Sequence, residues 1–171
     1  MFNKLIICSF IALSLLVSAC GFQPLYAKRS NDIGEIATTD ELLASVSINT
    51  IKNREGQILR NLLLDRLNPG NHAIAKEYRL ITEISISKSG LGVQSDDTTS
   101  RSKLTVTANF QLISDHQTHK FSITQVSGYS STEEEYPTLV AEQDAIERNL
   151  REIANDAKIR IALFLEQDRN S

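Results

Sequence analysis

The chain has 171 residues with a formal charge of −3, and of its 18 basic residues only Lys4 precedes residue 20, while all 21 acidic residues follow it. A mildly acidic body without a global basic field does not recruit nucleic acid. Its two cysteines, Cys8 inside an apolar leader and Cys20 at the leader's end, leave no thiol for a disulfide, a nucleophile or a zinc site.

The chain opens with Lys4, an apolar run from Leu5 to Val17 and the small residues Ser18 and Ala19, which is the order of a secretory signal peptide. The run falls short of the roughly 20 apolar residues that span a bilayer. Leu16-Val17-Ser18-Ala19-Cys20-Gly21 reads as a bacterial lipobox. Cleavage after Ala19 makes Cys20 the first mature residue, and its thiol and freed amine become sites for acyl chains. Each buried methylene contributes about 0.8 kcal/mol, so two or more chains hold a protein on a membrane while one does so marginally. A core helix ending in a buried thiol is the alternative, but it gives no reason for this order of charge, apolar run, small residues and cysteine. Gly21 stands where many bacteria place an inner-membrane-retaining Asp, which favours the outer membrane. The domain plan is a signal peptide over 1–19, a lipidated tether over 20–40 and one folded domain over 41–171.

Beyond the tether, Val46 and Ile48 alternate with Ser45, Ser47 and Asn49, predicting a half-buried strand over Leu43 to Ile51. Ile58, Leu59, Leu62, Leu63 and Leu67 recur at helical spacing until Asn68-Pro69-Gly70 stops them. Period two returns over Lys76 to Gln94, through Leu104, Val106, Ala108, Phe110 and Leu112, and over His119 to Ser130, predicting three antiparallel strands with one covered and one polar face. The last helix, from about Pro137 to Gln167, carries Leu139, Ile146, Leu150, Ile153, Ala157, Ile161 and Phe164 within an arc of about 80°. Ile159 and Leu163 project from its other side and mark a candidate partner contact or stray exposed aliphatics. The predicted fold is α+β: two helices packed on one face of a four-stranded, mostly antiparallel sheet, in the order β-α-β-β-β-α.

Catalytic signals are weak. The chain has no Gly-x-Ser-x-Gly turn and no phosphate-binding glycine loop, and its carboxylates sit in charge runs and on a charged helix. Asp115, His116 and His119 read as a polar turn rather than a metal site, as does His72 beside Pro69-Gly70-Asn71. No catalytic residue, metal or cofactor is implied. Lys88, Arg101 and Lys103 flank the long polar loop between the second and third strands. They are candidates for contact with the phosphates of a glycolipid head group, or plain edge-strand solubility residues.

Cys20-Gly21-Phe22-Gln23-Pro24-Leu25-Tyr26 resembles the mature start of the LptE family of lipopolysaccharide-assembly lipoproteins, particularly its alphaproteobacterial forms. Leu139-Val140-Ala141-Glu142-Gln143-Asp144-Ala145 and the helix it begins are similar too, and the order of elements agrees over the mature chain. The resemblance implies a non-enzymatic, periplasm-facing outer-membrane lipoprotein. Such a protein partners and plugs an LptD-type β-barrel and binds lipopolysaccharide. It carries over no individual glycolipid contact. A free-standing lipoprotein binding module, or an auxiliary subunit of another lipid-transport system, is the alternative.

Overall fold

The computed structural model describes residues 39–71, 73–90, 99–115, 117–132 and 134–169, all within one compact unit. The signal segment, Cys20 and residues 20–38 lie outside the described residues. The elements are α1 (Thr39–Ala44), β1 (Val46–Ile48), α2 (Asn53–Leu67), β2 (Tyr78–Gly90), β3 (Thr99–Ile113), β4 (Thr118–Thr132) and α3 (Glu135–Arg169). The sheet order is β1-β2-β3-β4, with β1 parallel to β2 across the α2 crossover and the other neighbours antiparallel. This is the predicted α+β class with one helix more than expected.

The extra helix is α1, and it shortens the first strand to three residues. Leu42, Leu43 and Ala44 are buried in succession, which a strand packed on one face cannot achieve and a helical turn can. Ser45 closes that turn: its N–H donates to Glu41 O at 3.0 Å and its hydroxyl to Leu42 O at 2.6 Å. The alternation of Val46 and Ile48 then suffices for pairing only with Tyr78 to Leu80.

Register assigns the faces of the long strands. Opposed residues in an antiparallel pair share a face, so Leu80, Leu112 and His119 form one row, Ile84, Ala108 and Ile123 another, and Ile86, Val106 and Gln125 a third. These even-numbered positions of β2 and β3, with the odd-numbered ones of β4, carry the sheet's half of the core, where Leu80, Leu104, Val106, Ala108 and Leu112 are fully buried. α2 packs against β1 and β2, α3 lies on β3 and β4, and the two helices also pack on each other, with Arg66 Nε donating to Asn155 Oδ1 at 2.6 Å.

Gly56 sits where α2 meets the segment before it. A Cβ there would lie 2.7 Å from Ile51 Cγ2 and 3.0 Å from Ile51 backbone atoms, so the close approach demands glycine.

The end of α3 is tied down from two sides. Thr39 Oγ1 donates to Glu166 Oε1 at 2.7 Å, and the Tyr78 hydroxyl donates to Asp168 Oδ2 at 2.8 Å. Burial, then the Asp168 hydrogen bond and charge, then the Glu77 charge push the Tyr78 hydroxyl up to about 12 from the ordinary 10.0. A group whose folded-state value is raised contributes stability fully below its unfolded value and loses it as pH rises through the folded one. The protein is therefore expected to lose stability between about pH 10 and pH 12 through this residue. Alkaline denaturant melts of Tyr78→Phe should show a shallower decline over that interval than wild type.

Candidate interface on the open sheet face

Among the described residues no helix covers one face of the sheet, and the odd positions of β2 and β3 with the even positions of β4 compose it. Its central rows are Glu83, Asn109 and Ser122; Ser85, Thr107 and Thr124; and Ser87, Thr105 and Val126. Thr107 and Thr124 share a hydroxyl hydrogen bond at 3.0 Å. Two cations stand at each end: Arg101 and Lys103 toward the β2–β3 loop, and Arg79 and Lys120 toward the opposite end, with ten residue positions of β3 between the Arg101 and Lys120 rows, about 33 Å. Glu83 is the one carboxylate on the face among the described residues. A protein of net charge −3 thus concentrates positive charge on a surface made mostly of hydroxyls and amides, with Ile81, Ile113 and the exposed Val126 among them.

The structure divides the three cations singled out by sequence. Arg101 and Lys103 are two residues apart on β3, both exposed on the open face. Lys88 is opposed to the fully buried Leu104 and therefore stands on the helix-covered face. There its ammonium makes an ion pair with Glu142 of α3. Arg79 and Lys120 were missed. The same alternation that marks the covered face places both on the open one, so the signal was in the sequence.

Of the histidine turn, His116 lies outside the described residues, as does His72. His119 stacks on Phe164 with ring centroids 4.6 Å apart and lies 5.7 Å from Phe121, so its ring completes an aromatic seam between β4 and α3. On the outer side of α3, Ile159 and Leu163 are 48% and 56% exposed, as expected from their angle. Leu139 departs from expectation. It lies on the apolar stripe by angle yet is 47% exposed. Helical phase fixes where a side chain points, not whether another element lies beneath it.

The helix-backed α+β fold is shared with solved lipoprotein structures. The chain resembles a protein of Caulobacter crescentus CB15 assigned as a lipoprotein (TM-score 0.57, 22% identity, covering 77% of this chain and 98% of that one). It also resembles the rare lipoprotein B of Shewanella oneidensis (TM-score 0.55, 13% identity, covering 74% and 98%). No curated protein matches it in sequence. The LptE family model, described as lipopolysaccharide-assembly, matches residues 43–161, and the chain belongs to that family.

Proposed function

We propose that this protein is a non-enzymatic lipopolysaccharide-assembly lipoprotein of the outer membrane, cleaved after Ala19, acylated on Cys20 and facing the periplasm. Residues 20–38 serve as its tether, and the working domain begins with α1 at Thr39. There it partners and plugs an LptD-type β-barrel and touches lipopolysaccharide in passage. The family match over residues 43–161 carries this reading. The lipobox supports the anchor, and the open face supports the contact: a rigid sheet presenting hydroxyls and amides suits a water-lined lumen, and its cations suit phosphate-bearing sugars.

Among the three sequence candidates, Arg101 and Lys103 present their charges directly on the open face, whereas Lys88 meets a ligand only by giving up Glu142. Replacing Arg101 and Lys103 by glutamine is expected to weaken lipopolysaccharide binding, more at low salt than at physiological salt, because exposed charges are screened. Denaturant midpoints should stay within the small change typical of surface substitutions. Equilibrium binding of purified lipopolysaccharide at two salt concentrations checks both parts. Unchanged affinity at low salt would reject these residues as the contact.

A further inference from the structure

The helix-side face of β2 runs Tyr78, Leu80, Thr82, Ile84, Ile86 and then Lys88, so a cation stands where the strand would otherwise continue its apolar series. Its partner Glu142 is the better covered of the two: the Lys88 side chain is 50% exposed and that of Glu142 16%. Glu142 also has a second donor, since the Tyr129 hydroxyl lies 3.4 Å from its Oε2. The carboxylate therefore keeps a hydrogen-bond partner if Lys88 leaves it, and the half-exposed ammonium is reachable from solvent. One turn upstream on the same side of α3, Leu139 is 47% exposed. A half-exposed cation whose carboxylate partner sits one helical turn from an exposed leucine has the layout of a site for the phosphate of an amphiphile.

We propose that Lys88–Glu142 is an exchangeable ion pair in which Glu142 holds the place of a ligand phosphate, so that an anionic amphiphile binds by displacing Glu142 from Lys88 and resting its apolar part on Leu139. This rests on the glycolipid contact proposed above and adds its control: Glu142 is an internal competitor that sets the affinity. Glu142→Gln removes the competing charge while keeping the size of the side chain and an acceptor for Tyr129.

The experiment measures binding of purified lipopolysaccharide, and separately of phosphatidylglycerol vesicles, to the full chain carrying Glu142→Gln, Lys88→Gln or both, with denaturant melts confirming that each variant folds. Glu142→Gln is expected to tighten binding by about three- to fivefold, the worth of a partly exposed ion pair. That gain should vanish on the Lys88→Gln background. A gain with lipopolysaccharide alone would assign the phosphate to the glycolipid, and a gain with both probes would assign it to anionic lipids generally; either supports the exchange. Weakened or unchanged binding by folded Glu142→Gln overturns it. So does an equal gain with Lys88 absent, which would signify relief of general repulsion. If the wild-type chain binds neither probe, the glycolipid reading fails and the exchange with it; if wild type binds and Glu142→Gln does not tighten, the exchange alone fails.

Discussion

Truncating Ile153 or Leu150 to alanine is expected to destabilise the fold by roughly 2 to 5 kcal/mol, the range for large-to-small changes at fully buried aliphatic positions. Both side chains are fully buried, and both belong to the stretch of α3 held between the sheet and α2. Ala154, Ala157 and Ala162 beside them are buried as well. A helix packed on two sides has little room to collapse into a cavity, which places the cost in the upper part of that range. Leu139→Ala is the internal control. Its side chain is 47% exposed, so the same truncation there should cost less than about 0.5 kcal/mol. Denaturant melts of the three variants check the pattern, and equal losses at Leu139 and Ile153 would mean that the stripe is not buried as described.

The second large effect concerns the anchor. Cys20→Ala removes the proposed attachment point, and with two or more acyl chains lost the protein should move from the membrane fraction to the soluble periplasmic fraction essentially completely. Intact-mass measurement of the wild-type protein should give a mature chain beginning at Cys20 and heavier than its polypeptide by its acyl groups. An unmodified thiol, a different N-terminus, or a Cys20→Ala variant that stays on membranes through high-salt washing would each contradict the anchor.

The sheet was legible because it is one-sided. With the described helices on one face only, Leu104, Val106, Ala108, Phe110 and Leu112 must alternate with polar residues, and the register confirms that alternation row by row. The same parity separates Lys88 from Lys103, so their split between faces was implicit in the pattern even though closeness to one loop suggested a cluster. Three features were less accessible. α1 spans too few residues for helical periodicity to show. Ala145, Ala154, Ala162 and Asn149 are buried on α3, but small and polar residues do not extend a stripe of large aliphatics, so the buried arc of the helix is wider than the stripe. The Lys88–Glu142 pair joins β2 to α3 across more than fifty residues, and long-range ion pairs leave no local trace. Strand order, by contrast, followed the simplest course, each strand pairing with the next in sequence.

The role within lipopolysaccharide assembly is tested most directly by affinity purification of the full-length, lipidated protein from gently solubilised outer membranes, with stoichiometry measured for whatever accompanies it. The account predicts one large β-barrel at equimolar amounts, retained when Arg101 and Lys103 are replaced. Recovery without any large barrel, under conditions that keep other barrel complexes whole, or recovery with an inner-membrane transporter instead, would contradict it.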